Sequence, residues 1–497
     1  MRYRGVGSFA SATLLSRILG LIRESTIAYI LGASSLSDAF YVAFRIPNLF
    51  RDIFAENAVQ AALIPAYFRA RENRREAHFL GASLMFFGGV TLLVSLVGIL
   101  FSNFIVTIFA YGFKSDPFKF SLTVRLTRIT FPYLWLISLA AFVGGVLNIY
   151  RRFFIPALGP VFFNIGVIAM ALVGYRITGS PRSALLFIAS GVIVGGALHL
   201  LFQIPFLSKE HPVFRFSGFK IPEFKMFINL LSPVFLNTGF SRLTLFVNTF
   251  IASFLGGGAI SYLNFAFRLM QLPVGLFGVG VSTVVNPDIA EKIAKNEDPS
   301  DVISEGIRLT LILTLPFLSI FIADSRGIVD LIYKRGNFGD VALLNTSLAL
   351  IFYSLAIVPI SVSKILLQFF YAKNIVKVPN RVFAISAISN ILLSVLLGLT
   401  LGFSGLALAT SLSSVVQLLL LIFYTEREIR LSSEGIFKIL AVNFVLFAGF
   451  LLSSWRPRLD LILDSVAGPI LYISLLFLFR VEEVRKIFHM ISTLKST

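Results

Sequence analysis

The sequence predicts an all-α polytopic membrane protein of about fourteen transmembrane helices, arranged as two six-helix bundles in a parallel pseudo-two-fold repeat with two extra C-terminal helices. Three observations carry that prediction. Hydrophobic residues make up 57% of the 497 and charged residues only 14%, where a soluble globular chain has about 25% charged. The apolar runs are continuous over about twenty residues, the length of a membrane-crossing helix, and lack the alternation of a membrane β-strand. The chain also repeats itself. LGASSLSDAFYVAFRIPNLF (31–50) and LGGGAISYLNFAFRLMQLP (255–273) both have Leu-Gly, a short gap and Ala-Phe-Arg, and each reaches a proline about twenty residues after its arginine, at Pro65 and Pro287. About six helices separate the copies, so both run in the same direction.

In chain order, the runs fall near 8–31, 38–67, 79–110, 122–149, 155–175, 184–207, 226–255, 259–289, 307–323, 342–371, 379–399, 403–424, 436–454 and 462–479. The start, MRYRGVGSFASATLLSRILG, has the charged opening of a signal peptide but no small-residue cleavage site. It runs on through Arg17 and Arg23 and is read as a retained first helix. Domains follow from the repeat: 1–207 is the N-terminal bundle, 208–225 (SKEHPVFRFSGFKIPEFK) a basic cytoplasmic linker, 226–424 the C-terminal bundle, and 425–497 the two extra helices with a cytoplasmic tail.

The formal charge is +18. In a soluble protein such a balance points to nucleic acid, but here the cations lie mostly between apolar runs. The even-numbered loops and both tails hold most of them, including Arg69, Arg71, Arg74, Arg75, Arg215, Lys220 and Lys225, while the odd-numbered loops hold few, Lys119 among them. That asymmetry puts both termini in the cytoplasm. Anionic lipid or a polyanionic substrate is a further use for the excess.

Several chemistries are excluded. With no cysteine there is no disulfide, thiol nucleophile or thiolate metal site. No P-loop is present to power the chain with ATP. The four histidines have no metal spacing, and His199 is read as a packing residue within a helix. No Ser-His-Asp grouping is evident, so the chain reads as a transporter and not an enzyme, without a cofactor.

Charges inside the apolar runs mark the candidate site, because an ionisable group in a membrane helix needs water, a partner or a ligand beside it. Arg17 lies mid-helix and is expected to face a cavity, whereas Glu24, next to Arg23, is read as close to a membrane surface, where it can snorkel out. Asp38, Arg45, Asp52 and Glu56 are spaced 7, 7 and 4 and share one side of a straight helix. Pro47 is expected to bend that helix and swing Arg51 toward the same space. Asp38, Arg45 and Glu56 also read as an ion-pair ladder, in which a carboxylate holds an arginine until a phosphate replaces it. By the repeat, Arg268, with Gln271 beside it, faces Arg45 across the pseudo-axis. Arginines from both bundles point to an anionic ligand, a phosphate or diphosphate. Arg45→Ala is expected to impair transport more than Lys119→Ala.

SRILGLIRE, DAFYVAFRIPNLFRDIFAENAVQAALIPAY and FRLMQLPVGLFGVGVSTVVNP together resemble the MurJ (MviN) family, the bacterial lipid II flippases of the multidrug/oligosaccharidyl-lipid/polysaccharide exporter superfamily. The resemblance covers nearly the whole chain. It implies a V-shaped pair of bundles, a central cavity open alternately to each side, and a groove for the lipid tail on helices 13 and 14. It also implies that Arg17, Arg23, Asp38, Asn48, Arg51 and Arg268 line the cavity or are needed for activity, with Arg45 in the same motif. The substrate would be the undecaprenyl-diphosphate-linked peptidoglycan precursor, moved from inner to outer leaflet of the bacterial cytoplasmic membrane.

The chain departs from the family pattern at a few positions. Asp52 stands where a second basic residue is common, Asn57 replaces a glycine, and Gln271 replaces a glutamate. At the positions matching the family's sodium site stand Asn248, Asn390 and Ser394, without carboxylates, so coupling by the membrane potential or by a monovalent cation stays open. The alternatives are a flippase for another lipid-linked oligosaccharide and, more weakly, a drug/cation antiporter, which would want carboxylates where this chain has arginines. Membrane lipids are the other expected partners, with a monomer sufficient.

Overall fold

Helices form where the apolar runs lie, and proline and glycine set where they bend or stop. The computed structural model describes residues 2–54, 58–210, 213–453, Tyr472 and Leu476, and among these it holds helices and no β-strand. Nine stretches of the described residues are long and apolar enough to cross a membrane. The chain is an all-helical, multi-pass membrane protein. It divides into two compact units, Met1–Ser261 with Arg335–Gly339, and Tyr262–Lys334 with Asp340–Thr497.

The first unit contains α1 (Arg2–Leu31), α2 (Ser35–Phe54), α3 (Ala58–Glu72), α4 (Glu76–Leu100), α5 (Ser102–Phe109), α6 (Pro117–Thr130), α7 (Pro132–Ile149), α8 (Phe154–Thr178), α9 (Pro181–Lys209), α10 (Pro222–Ser241) and α11 (Leu243–Ala252). Gly32, at φ +64°, ends α1 in the left-handed conformation that glycine adopts most easily. The last carbonyls of α1 are satisfied from the 335–339 segment, where Asn337 N donates to Tyr29 O at 2.9 Å and Asn337 Nδ2 to Ile30 O at 2.7 Å. α2 continues through Pro47. Proline has no N–H for the carbonyl four residues back, and that carbonyl, on Ala43, accepts instead from the Thr130 hydroxyl at 2.9 Å. α8 and α9 pack backbone to backbone, since a Cβ on Gly166 would lie 2.7 Å from the Gly195 Cα. Such small-residue contacts replace the hydrophobic effect as glue inside a bilayer.

The second unit holds α12 (Ala259–Pro273), of which the first turn to Ser261 belongs to the first unit, then a π-helical turn (Val274–Gly278) and α13 (Val279–Ala294). It continues with α14 (Ser300–Ala323), α15 (Ser325–Tyr333), α16 (Asp340–Ser354), α17 (Ile357–Ala372), α18 (Lys377–Leu401), α19 (Phe403–Glu426) and α20 (Ile436–Ser453). α20 packs on α14, where Ile439, Val442 and Leu446 join the core and Ser319 Oγ donates to Asn443 Oδ1 at 3.1 Å. Of the two helices expected to form a lipid-tail groove, the last run, 462–479, lies outside the described residues apart from Tyr472 and Leu476.

Two sequence expectations change. Several continuous apolar runs are locally irregular, at Phe101, Phe131 before Pro132, Arg242 and 355–356, yet Phe131 keeps helical dihedrals and Pro117–Ile149 and Asp340–Ala372 each remain one stretch long enough to cross a membrane. Apolar content alone does not register so local an irregularity. The amphipathic α15 was missed because its nine residues are too short for a span; it buries Ile328, Val329 and Tyr333 and is capped by Asp324, whose Oδ1 accepts from Gly327 N at 2.9 Å.

Candidate functional site

The first unit gathers its charges into three clusters inside the helix packing. The first stands on α1. Arg23 Nη2 donates to Glu24 Oε1 at 2.6 Å, Arg23 Nη1 donates to Asn164 Oδ1 at 3.1 Å, and Glu24 Oε2 accepts from the Tyr41 hydroxyl at 2.7 Å. The guanidinium lies 5.8 Å from the Phe44 ring centroid and 5.6 Å from that of Phe163. Glu24 is 2% exposed. It does not snorkel to a membrane surface as its place in the sequence implied, because Arg23 and Tyr41 satisfy both its oxygens inside the unit. Arg17, less than two turns earlier, is half-buried on the same helix.

The second cluster forms around Asp38, which has no exposed surface. Its Oδ2 accepts from Lys119 Nζ at 2.8 Å and Gly258 N at 2.7 Å; its Oδ1 accepts from Ser261 N at 2.9 Å and Ser261 Oγ at 2.7 Å. The carboxylate therefore caps the first turn of α12, where the helix dipole favours an anion, while Lys119 on α6 neutralises it and stacks 4.0 Å from the Phe113 centroid. This replaces two expectations. Asp38 pairs with Lys119, not with Arg45 in a ladder, and Lys119 is a buried structural cation rather than an indifferent loop residue.

The third cluster contains Arg51. Its Nη2 and Nε donate to Asp52 Oδ1 at 2.6 and 3.2 Å, and Arg242 Nε lies 3.2 Å from Asp52 Oδ2. Asp52 thus joins two guanidiniums, one from α2 and one from the α10–α11 joint. A second cation, Arg242, therefore stands beside Asp52. Sequence reasoning missed Arg242, although a single arginine interrupting the apolar run 226–255 was a visible signal. His199 sits directly on the α8 backbone, where a Cβ on Gly159 would fall 1.9 Å from its Nε2.

Of the remaining candidates, Arg45 donates from Nη1 to Thr249 Oγ1 on α11 at 2.8 Å. Asn48 buries its Oδ1 without a hydrogen-bond partner among the described residues, the kind of atom that a ligand or water satisfies. Glu56 lies outside the described residues. In the second unit, Arg268 is half-buried on α12 and Gln271, one turn on, is exposed. For the cation candidates, Asn248 is half-buried on α11 of the first unit. Asn390 and Ser394 lie buried one turn apart on α18 of the second, where Asn390 Nδ2 donates to Ser413 Oγ at 3.1 Å.

Chemically, these clusters keep guanidiniums charged and oriented inside a membrane. An arginine whose partner is a carboxylate is held in the geometry that also binds a phosphate bidentately. Arg51 keeps about a quarter of its side chain exposed, against 9% for Arg23.

The model of the MurJ lipid II flippase family matches residues 27–456. The chain is 34% identical over 423 residues to the probable lipid II flippase MurJ of Buchnera aphidicola subsp. Acyrthosiphon pisum, covering 83% of this chain and 82% of that protein. It is 33% identical to the probable lipid II flippase MurJ of Thermotoga maritima, covering 97% of each, and 34% identical to the lipid II flippase MurJ of Burkholderia cenocepacia, covering 84% and 83%. A solved structure of lipid II flippase MurJ in an inward closed conformation superposes with a TM-score of 0.84 at 28% identity, covering 95% of this chain and 98% of that one. An inward-facing MATE transporter of the MOP superfamily, at TM-score 0.67 and 14% identity over 84% of this chain and 98% of that one, shares the fold. By these matches along most of its length, the chain belongs to the MurJ lipid II flippase family.

Proposed function

We propose that this chain carries lipid II across the bacterial cytoplasmic membrane, from inner to outer leaflet, with both termini in the cytoplasm. The observation that carries the proposal is the family match over residues 27–456. Alternating access is the proposed mode, with Arg17, Arg23, Arg45, Arg51 and Arg268 contributing positive charge for the diphosphate and head group. The Asp52-centred pair of arginines supports this reading, because Arg51 is already charged, oriented and partly accessible. In the proposed cycle the diphosphate replaces Asp52 on Arg51, and Asp52 keeps Arg242. Asp38 acts at a distance from substrate, as a latch on the first turn of α12 that must loosen when the carrier changes state. The driving force proposed is the membrane potential acting on the net charge moved, about 2.3 kcal/mol per charge per 100 mV.

Depletion of a bacterial host's own lipid II flippase, with this chain expressed in its place, tests the proposal. Restored growth and export of labelled lipid II are expected. A stably inserted chain that exports none contradicts it.

A further inference from the structure

The chain between α9 and α10 is non-helical from 213 to 221, yet it is fastened at two points to the α3–α4 turn. Arg215 N donates to Ala77 O at 2.9 Å. Asn73 Nδ2 donates to Glu223 Oε1 at 2.7 Å, and Glu223 is itself buried. The contact at α4 is close enough to require glycine, since a Cβ on Gly81 would meet the Arg215 carbonyl oxygen at 2.4 Å. A chain of ring contacts continues from there: Phe216 meets Phe219 and Phe219 meets Phe86 edge-on, while Phe219 with Phe224 and Phe224 with Phe227 are tilted.

Held this way, the segment presents both chemistries of a membrane interface. Phe216 is 53% and Phe219 46% exposed, as is 56% of Met85 on α4, one position before Phe86. Around them stand the exposed cations Arg71, Arg74, Arg75, Arg215, Lys220 and Lys225, against the carboxylates Glu72, Glu76 and the buried Glu223. The Arg215 backbone meets α4 between Ala77 and Gly81, and Phe86 lies about 8–14 Å further along that helix at 1.5 Å per residue.

We propose that the 213–225 segment and the α3–α4 turn form a binding site for an anionic phospholipid, with the phosphate on Arg215, Lys220 and the turn arginines and an acyl chain along Phe216, Phe219 and Met85. Free cations beside an anionic surface and exposed rings beside lipid supply the two attractions that interfacial segments combine. The site is independent of the transported substrate, so it stands or falls apart from the flippase reading.

The absence of cysteine makes the test clean. Phe216→Cys, carrying an environment-sensitive fluorophore, is placed in bilayers containing equal mole fractions of brominated phosphatidylglycerol or brominated phosphatidylcholine. Quenching by the anionic lipid should exceed that by the zwitterionic lipid at least about fivefold in apparent affinity, the effect of one cation near an anionic surface. The preference should fall with added salt and fall at least about fivefold in Arg215→Gln/Lys220→Gln, while quenching by phosphatidylcholine persists. A label at Leu93→Cys, an exposed position farther along α4, should show no preference. Equal quenching by both lipids at position 216 would overturn the site, and quenching by neither would overturn the placement of the segment at the bilayer.

Discussion

Replacing Lys119 with methionine puts the Asp38 latch to a quantitative test. The ammonium lies 2.8 Å from a carboxylate with no exposed surface, and at an effective dielectric of about 20 that attraction is about 6 kcal/mol. Desolvation of both ions offsets part of it. Removing one partner of a buried pair typically costs about 3–5 kcal/mol, because the other charge is left uncompensated. Here the three donors on Gly258 and Ser261 remain, so the low end, about 3 kcal/mol, is expected for Lys119→Met. Asp38→Asn leaves an acceptor for those donors but strands the ammonium and should cost a similar amount. The double variant strands neither charge and should be more stable than the sum of the singles by about 2 kcal/mol or more. Reversible unfolding in mixed micelles, followed for all four proteins, reads the coupling. Additive effects, or a Lys119→Met loss below about 0.5 kcal/mol, would refute the pairing and restore Lys119 to the status of an ordinary loop cation.

Other consequences can be checked with the same preparations. Thr130→Val removes the donor to the Ala43 carbonyl that Pro47 leaves unpaired and should cost about 1–3 kcal/mol in unfolding. Gly166→Val drives a side chain into the Gly195 backbone and should reduce folded yield sharply, whereas the same change at Gly89, which has open space around it, should not. Glu24→Gln removes the charge partnering a buried guanidinium and should lower stability by about 3 kcal/mol. Glu24→Asp shortens the reach to Tyr41 and should fall between the two.

The fold class was legible because the bilayer demands long apolar helices, and their length and continuity are written directly in the residues. The existence of a charged site was legible for the same reason, since Arg23, Asp38 and Arg51 stand out against an apolar background. Their partners were not. Asp38 meets Lys119 81 residues away and Arg45 meets Thr249 204 residues away, and helical spacing ranks only neighbours on one helix. Glu24 was misplaced because a charge near a helix end has two physical solutions, water at the surface or a partner inside, and only tertiary packing chooses. Arg242 went unremarked because it interrupts its run singly, although the reasoning applied to Arg17 applied equally to it. Asp52, which the motif made look anomalous, becomes intelligible once Arg242 is seen beside it.

The most direct test of the central claim is the rate at which purified protein in liposomes moves fluorescent lipid II between leaflets, compared between the native chain and Arg51→Ala. The account predicts movement well above protein-free liposomes for the native chain and at least about a tenfold loss for the variant, the effect of about 1.4 kcal/mol of lost binding. A native chain that moves no lipid II, or an Arg51→Ala variant that moves it as fast as the native protein, would contradict it.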